Sequence, residues 1–365
     1  MQMSLLLRQK LPDFPWDALA PYGAIARKHP QGAIDLSVGT PVDPTPEFIQ
    51  QAFQRASNSP GYPLTMGTPE LREAITAWAK KYLGATGEFG VLPVIGSKEF
   101  VAWLPTFIEA KSVLYPDVAY PTYLVGALLA QAVATPVSLD AASWPEADMA
   151  WVNSPSNPTG RVHTESELKA AIEWSRKYKS VVVSDECYLE FGDTVTPTSI
   201  LQYTGGDNTN ILSVLSLSKR SSMAGYRAAF IVGDPALIAR ILEVRKHAGM
   251  MVPLPVQHAM IAALSDEKHV TEQRARYNAR RATLAPALIA AGFTIEDSEA
   301  GLYIWATRKE DCWDSVSWLV DLGIIATPGI FHGEGGSSHI RIAMTATDAQ
   351  ITDATARIMS KVGAK

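Results

Sequence analysis

Between residues 91 and 232, short apolar runs alternate with longer segments whose apolar residues recur at helical spacing. The short runs are rich in Val, Ile and Leu, which predicts buried strands, and the longer segments predict helices. The predicted strands lie at residues 92–95, 112–115, 132–139, 149–153, 180–184, 211–216 and 228–232. Strands separated by helices are joined by crossover connections, which place helices on both faces of a sheet. The sequence therefore predicts an α/β fold with a mainly parallel sheet.

The pattern changes after this region. Residues 270–291 form a long, arginine-rich segment, which we interpret as a solvated helix linking two lobes, and a smaller α/β pattern follows it. The first thirty residues are rich in proline and aromatic residues and predict an arm or a short helix on the body. We therefore predict an N-terminal arm at 1–35 that forms part of the small domain, a large domain at 36–250, and an interdomain helix with a small C-terminal domain at 251–365.

Composition narrows the class of partner. The net charge is −5 and no basic run stands out, which argues against a nucleic-acid or anionic-membrane partner. Two cysteines, Cys187 and Cys312, are too few for a disulfide scaffold and indicate a reducing compartment. Neither a signal-peptide pattern nor an apolar run of transmembrane length is found. We expect a cytoplasmic protein with small-molecule substrates.

Lys219 comes four residues after the end of the apolar run at 211–215, and Arg227 comes eight residues later. A lysine at the end of a buried strand is partly desolvated, which disfavours its charged form and leaves a nucleophilic amine. Such an amine can form a Schiff base with an aldehyde, as in the binding of pyridoxal phosphate. Ser216, Ser218 and Arg227 would then be hydrogen-bond donors for a phosphate. A solvated Ser-Lys-Arg loop is the alternative.

Two loops at predicted strand ends carry groups suited to the same ligand. Gly96, Ser97 and Lys98 join a strand to a helix N-terminus, where free N–H groups and the helix dipole bind phosphate. Asn157 lies between two prolines in the loop 153–160, and its amide can hydrogen-bond a phenolic oxygen. An ordinary turn and a proline-rich surface turn are the respective alternatives.

Two charged residues occur where the sequence is otherwise apolar. Asp185 ends an apolar strand, and its carboxylate needs a partner such as a protonated pyridine nitrogen. A helix cap or a salt bridge would also satisfy Asp185. Arg341 lies within the apolar run 339–343, where its planar fork can bind a carboxylate in bidentate fashion. An exposed arginine on an edge strand is the alternative.

Taken together and in this order, these motifs resemble the fold-type I pyridoxal-phosphate aminotransferases of class I and II. The resemblance covers nearly the whole chain. The motifs are Asn153-x-Pro155-x-Asn157-Pro158-Thr159-Gly160, Asp185-Glu186-x-Tyr188, Ser216-x-Ser218-Lys219 with Arg227, and Arg341. The resemblance implies pyridoxal 5′-phosphate as cofactor, a large domain with a mainly parallel seven-stranded sheet, and a smaller C-terminal α/β domain. It also implies a homodimer with shared active sites.

The same resemblance implies roles for single residues. Lys219 is expected to hold the cofactor as a Schiff base and to move a proton between the substrate Cα and the cofactor. Asp185 is expected to pair with the pyridine nitrogen, while Asn157 and Tyr188 bond the phenolic oxygen. Tyr123 is expected to stack on the cofactor ring, and Tyr62 is expected to reach the partner subunit's cofactor. The residues expected to bind the phosphate are Gly96, Ser97, Lys98, Ser216, Ser218 and Arg227. The expected substrate contacts are Arg341 at the α-carboxylate, Asn157, and Gly39 in the loop that closes over the substrate.

Three N-terminal stretches, at residues 11–19, 35–44 and 59–65, are similar to actinobacterial N-succinyldiaminopimelate aminotransferases. This similarity implies amino transfer between glutamate and N-succinyl-2-amino-6-oxopimelate, in lysine and diaminopimelate biosynthesis. An aspartate, alanine or aromatic aminotransferase and a β-elimination lyase are the alternatives on the same fold. A DNA-binding regulator is disfavoured because no basic module is found, and a nicotinamide dehydrogenase because no Gly-x-Gly-x-x-Gly follows the first strand.

Overall fold

The computed structural model describes residues 11–363. The strands are β1 (Ile34–Asp35), β2 (Gly90–Ile95), β3 (Ser112–Pro116), β4 (Val133–Val137), β5 (Met149–Asn153), β6 (Val181–Asp185), β7 (Ile211–Ser216), β8 (Ala228–Gly233), β9 (Thr294–Glu296), β10 (Tyr303–Thr307), β11 (Ile324–Ile325), β12 (Thr327–Pro328) and β13 (His339–Ala343). The α-helices are α1 (Pro15–Ala26), α2 (Glu47–Arg55), α3 (Pro69–Trp78), α4 (Ser97–Phe107), α5 (Thr122–Leu129), α6 (Glu165–Tyr178), α7 (Leu217–Arg220), α8 (Pro235–Ala248), α9 (Leu254–Leu264), α10 (Lys268–Ala290), α11 (Cys312–Val320) and α12 (Asp348–Gly363).

In this part of the chain, seven strands form the main sheet, in the order β2-β8-β7-β6-β5-β3-β4. Strand β8 runs antiparallel to both of its neighbours, and the other pairings are parallel. Every residue of β5, β7 and β8 is buried, as a sheet covered on both faces requires. The predicted α/β fold with a mainly parallel seven-stranded sheet and a smaller C-terminal domain is confirmed.

The smaller domain contains a four-stranded antiparallel sheet in the order β12-β13-β10-β9. Strand β1, near the N-terminus, pairs in parallel with β11, and Tyr22 of α1 stacks on Trp313 of α11 with ring centroids 4.9 Å apart. The N-terminal residues described therefore pack on the C-terminal domain.

Helix α10 differs from the solvated linker helix that its composition predicts. Its side chains at Arg280 and Arg281 are 3% and 6% exposed. Arg280 forms ion pairs with Asp43 and Asp348, and Arg281 pairs with Asp193. The many arginines in this segment predicted a solvated helix. Their burial could not be predicted from the sequence, because the carboxylates that compensate their charge lie far away in sequence.

Within residues 11–363, no helix combines the length and the apolar character needed to cross a membrane. The same residues contain no group of three or more His, Cys, Asp and Glu side chains placed to hold a metal ion.

Candidate active site

A cavity of about 780 Å³ lies where β5, β6 and β7 end, between the main sheet and the smaller domain. Ligands in α/β proteins gather beyond the carboxyl ends of the strands, and the end residues Asn153, Asp185 and Ser216 all line this cavity. Of the residues predicted from the sequence, those that line it are Gly39, Ser97, Lys98, Asn157, Asp185, Tyr188, Ser216, Ser218, Lys219, Arg227 and Arg341.

Lys219 lies in the short helix α7, immediately after β7. Ser216 caps this helix, since its Oγ accepts a hydrogen bond from the Ser218 N–H at 3.2 Å. The Lys219 Nζ donates to the carbonyl oxygen of Gly39 across the cavity. Burial lowers the pKa of Lys219 below its usual value, and a lowered pKa raises the fraction of nucleophilic free amine.

Asp185 ends β6 with its carboxyl group buried. Its Oδ2 accepts a hydrogen bond from the Tyr123 hydroxyl at 2.9 Å, and its Oδ1 accepts one from the Cys187 N–H at 3.2 Å. Burial raises the pKa of Asp185, so its ionised form calls for a positive partner. A pyridinium nitrogen entering the cavity would be such a partner.

Tyr123 was predicted to stack on a cofactor ring, but it does not line the cavity. Its ring is fully buried, stacked on Trp151 with centroids 4.9 Å apart. Tyr120 lines the cavity instead, with its ring edge-to-face against Tyr123 at 5.8 Å. Both tyrosines belong to one Tyr-Pro-Thr-Tyr motif, and the sequence alone did not show which of them faces the cavity. We assign the ring-covering position to Tyr120.

The N-terminus of α4 and Arg227 form a site for an anion. Gly96 has φ +78°, a conformation that favours glycine, and the Arg227 guanidinium lies where a Cβ atom would be. Ser97 and Lys98 open α4, where free N–H groups point outward. Burial, and then the charge of Arg227, lower the pKa of Lys98. A guanidinium beside a helix N-terminus fits the phosphate of a cofactor, and the expected phosphate contact of Lys98 stays a prediction.

Arg341 lies on β13, between β12 and β10, and is 3% exposed, so it is not an exposed edge-strand arginine. Its Nη1 donates to the Asn157 Oδ1 at 2.8 Å, and its Nη2 donates to the Ser37 carbonyl oxygen at 2.7 Å. Its Nε finds no acceptor among the described residues. The guanidinium is therefore fixed at the cavity wall with a donor left over, as binding of a carboxylate requires.

Several parts of the cavity wall were missed by the sequence analysis. Among them are Tyr120, Tyr303, and the N-terminal wall, by which we mean Leu11, Pro12, Asp13, Phe14, Pro15 and Trp16. Tyr303 opens an apolar strand, where a tyrosine is indistinguishable from core in the sequence pattern. Tyr62 lies outside the cavity with a ring that is 94% exposed, so its contact to a partner's cofactor stays a prediction.

A family model described as aminotransferase class I and II matches residues 31–358. The chain belongs to this family. A probable aminotransferase of Mycobacterium tuberculosis is 51% identical over 356 residues, covering 95% of this chain and 85% of that protein. A Streptomyces rimosus protein named 4-dedimethylamino-4-oxo-anhydrotetracycline transaminase is 50% identical over 358 residues, covering 96% and 99%. The solved structure of a probable N-succinyldiaminopimelate aminotransferase from Thermus thermophilus has a TM-score of 0.85 and 26% identity, covering 95% of this chain and 100% of that one.

Class I and II aminotransferases use pyridoxal 5′-phosphate, and this aminotransferase has residues that fit it. The buried Asp185 carboxyl, the desolvated Lys219 amine and the anion site around Gly96 and Arg227 match the ring nitrogen, the aldehyde and the phosphate of that cofactor. The chain is therefore a pyridoxal-phosphate-dependent aminotransferase.

Proposed function

We propose that this aminotransferase exchanges the amino group of glutamate with N-succinyl-2-amino-6-oxopimelate, a step of lysine and diaminopimelate biosynthesis. The name of the Thermus structure supports the acceptor, as do the N-terminal stretches that resemble enzymes of that activity. The observation that carries the proposal is the distribution of positive charge in the cavity.

Four basic side chains line the cavity in the described part of the chain: Lys98, Lys219, Arg227 and Arg341. We assign Arg227 to the cofactor phosphate, Lys219 to the chemistry and Arg341 to the substrate α-carboxylate. The resemblance implies phosphate binding by Lys98, but we propose a different role for it, because its Nζ lies 5.9 Å from the ring centroid of Phe14 in the N-terminal wall. Glutamate and the succinylated acceptor both carry a second carboxylate, which the ammonium of Lys98 would attract.

In the proposed reaction each side chain has a defined task. Bound pyridoxal phosphate withdraws electrons from the substrate Cα, which acidifies the proton there. Lys219 would hold the aldehyde of the cofactor and, as a free amine, would move a proton between the substrate Cα and the cofactor. Asp185 keeps the ring nitrogen protonated, and the hydroxyl of Tyr188 and the amide of Asn157 donate to the ring oxygen. Arg341 holds the α-carboxylate, so that Cα stays within reach of Lys219.

A bulky cyclic oxo substrate is a second candidate. The N-terminal wall is mostly apolar, and Phe14 and Trp16 present aromatic rings 5.6 Å apart beside the cavity. An apolar wall favours contact with an apolar ring system. The Streptomyces rimosus relative, at 50% identity, is named for a transamination of an oxo-anhydrotetracycline.

We further infer a homodimer. The 94% exposed ring of Tyr62 and the 55% exposed Leu64 lie on one short segment. A second copy of the chain would cover both side chains, and Tyr62 would then reach the partner's cofactor. Measurement of the mass in solution tests this inference, since a monomeric holoenzyme would contradict it.

The first experiment follows the visible absorbance of the holoenzyme as glutamate is added, and then the kcat/KM for each oxo acceptor. We expect glutamate to convert the cofactor to its amine form and the succinylated acceptor to reverse the change with the highest kcat/KM. Higher kcat/KM for a fused-ring ketone would select the second candidate. Release of pyruvate and ammonia without an oxo acceptor would contradict both and indicate a lyase.

Lys98→Met tests the charge assignment. We expect roughly a tenfold higher KM for glutamate, because a desolvated charge pair contributes on the order of 1–3 kcal/mol. Alanine, which lacks the second carboxylate, is the matched control donor, and its KM should not change. An equal loss for both donors together with weaker cofactor binding would place Lys98 at the phosphate instead.

A further inference from the structure

Tyr303, at the start of β10, contacts three parts of the active site. Its hydroxyl oxygen lies 3.1 Å from the hydroxyl oxygen of Tyr188. The guanidinium carbon of Arg341 lies 4.2 Å from the centroid of its ring. A Cβ atom at Gly39 would collide with the Tyr303 hydroxyl, so the backbone that accepts the Lys219 hydrogen bond lies directly against this side chain. Tyr303 is 3% exposed, which leaves it little room to move.

We propose that Tyr303 is a positioning residue that joins the substrate-carboxylate site at Arg341 to the hydroxyl of Tyr188. The hydroxyl of Tyr303 sets the direction and strength of the Tyr188 hydrogen bond. The ring of Tyr303 holds the plane of the Arg341 guanidinium. This inference rests on the family's transamination chemistry and is independent of which oxo acid is the acceptor.

Each tyrosine hydroxyl has a single proton to donate, which sets the direction of the bond between Tyr303 and Tyr188. Burial raises the pKa of Tyr188 well above its usual value, so the residue keeps its single proton. When Tyr188 donates that proton to the cofactor's ring oxygen, its own oxygen becomes an acceptor. The Tyr303 hydroxyl, at 3.1 Å, is then the donor to it. A chain of two such bonds polarises its members, which makes Tyr188 a stronger donor to the cofactor.

The register of β10 and β13 places the ring of Tyr303 beside Arg341. In the antiparallel pair of β10 and β13, Trp305 lies opposite Arg341 and Tyr303 lies opposite Ala343. Tyr303 and Arg341 are thus diagonal neighbours on one face of the sheet, within reach for an aromatic and a long side chain. An aromatic face attracts a guanidinium, and more strongly when both groups are shielded from water. Together with the bonds to Asn157 and Ser37, this contact leaves Arg341 a single orientation.

Two variants separate the two roles. Tyr303→Phe removes the hydroxyl and keeps the ring. The visible absorbance of the holoenzyme is then followed as the pH is varied. We expect the midpoint of this titration to rise by roughly half a pH unit or more, because a weaker Tyr188 donor stabilises the anionic ring oxygen of the cofactor less. The KM for glutamate should stay within about twofold of its original value, since the ring still faces Arg341.

Tyr303→Leu removes the ring as well. We expect the same rise in the absorbance midpoint and, in addition, a KM for glutamate that is roughly tenfold higher, because Arg341 loses its aromatic contact. Tyr277→Phe is the matched control, because Tyr277 is another fully buried tyrosine that does not line the cavity. Its absorbance midpoint and KM should equal those of the original protein.

An unchanged absorbance midpoint in a folded, cofactor-loaded Tyr303→Phe would overturn the hydroxyl role. A Tyr303→Leu variant whose KM matches that of Tyr303→Phe would overturn the ring role. A Tyr277→Phe variant with the same midpoint shift would show that the effect arises from any buried hydroxyl and would refute the specific assignment. Failure to use the succinylated acceptor changes none of these readouts, so it would contradict only the proposed function.

Discussion

The ion pair between Arg280 and Asp43 offers a quantitative test of how α10 stabilises the segment between β1 and α2. Arg280 donates from Nη2 to Asp43 Oδ1 at 2.7 Å and from Nη1 to Asp43 Oδ2 at 2.8 Å. The side chain of Arg280 is 3% exposed and that of Asp43 is 13% exposed, whereas the second partner, Asp348, is 80% exposed. The bond to Asp348 therefore contributes at most about 1 kcal/mol. The stabilising effect of Arg280 lies mainly in its two bonds to Asp43.

We expect Arg280→Met to lower the free energy of unfolding by about 2–4 kcal/mol. Breaking a buried pair by removing one partner costs about 3–5 kcal/mol, because a charge is left without compensation. Asp43 keeps one hydrogen bond, from Gln273 at 2.8 Å, and is close enough to the surface to regain some water, which lowers the cost. Methionine retains the aliphatic length of arginine, so lost packing contributes little.

The loss should depend on pH in a defined direction. Burial alone would raise the pKa of Asp43, but hydrogen bonds from Arg280 and Gln273 and the charge of Arg280 outweigh it and hold the pKa below 3.8. A depressed carboxyl pKa gives stability that is present above the unfolded-state pKa and is lost as the pH falls through the folded-state pKa. The difference between the two proteins should therefore be constant from pH 7 to about pH 5 and should narrow below about pH 4.

Reversible urea denaturation at fixed protein and cofactor concentrations measures this difference, with the m-value as a check on the unfolding mechanism. The matched control is Arg276→Met on the same helix. Within residues 11–363 the Arg276 side chain donates a hydrogen bond to Gln273 and forms no ion pair, so its loss should cost less than about 1 kcal/mol. A difference below 1 kcal/mol for Arg280→Met, or one that widens as the pH falls, would refute the reasoning.

Three further outcomes are expected. Lys219→Ala should abolish turnover in the glutamate assay while the protein still binds the cofactor non-covalently; near-normal turnover would contradict the assignment of the lysine. Asp185→Ala should remove most of the activity, since the ring nitrogen loses the carboxylate that keeps it protonated, and a mild effect on kcat would point to another carboxylate. Burial raises the pKa of Glu186 to about 7, so ionisation of this side chain opposes folding as the pH rises from 4.5 to 7. Glu186→Gln should therefore gain stability relative to the original protein over that pH range, and a gain confined to acidic pH, seen in urea denaturation, would contradict this sign.

The sequence predicted the sheet well because its strands are continuous apolar runs. Strands β5 and β7 begin and end at the predicted residues, and burial on both faces is what makes such runs visible. The apolar runs at residues 34–38 and 324–326 predict longer strands than the two-residue β1 and β11, because an apolar run does not show where pairing with a partner strand stops.

The candidate site was predicted to the extent that its residues interrupt an apolar pattern. Asp185, Lys219 and Arg341 stand out as charges at or within apolar strands, and all three line the cavity. Tyr120 and Tyr303 did not stand out, because an aromatic residue is expected in a core as much as in a binding site. Their placement depends on which way a side chain points, and the pattern of a single chain does not contain that information.

The pairing of β1 with β11 joins Ile34 to Ile324 in register, and Arg357 of α12 donates hydrogen bonds to the carbonyl oxygens of Gln31 and Gly32. These partners are separated by about 290 residues or more of intervening chain. During synthesis, the segment that carries α1 and β1 leaves the ribosome long before its partners exist. The apolar side chains of this segment remain exposed to solvent until nearly the whole chain has been synthesised. The smaller domain is therefore completed last, and a truncation of either end would leave the other end without its partner.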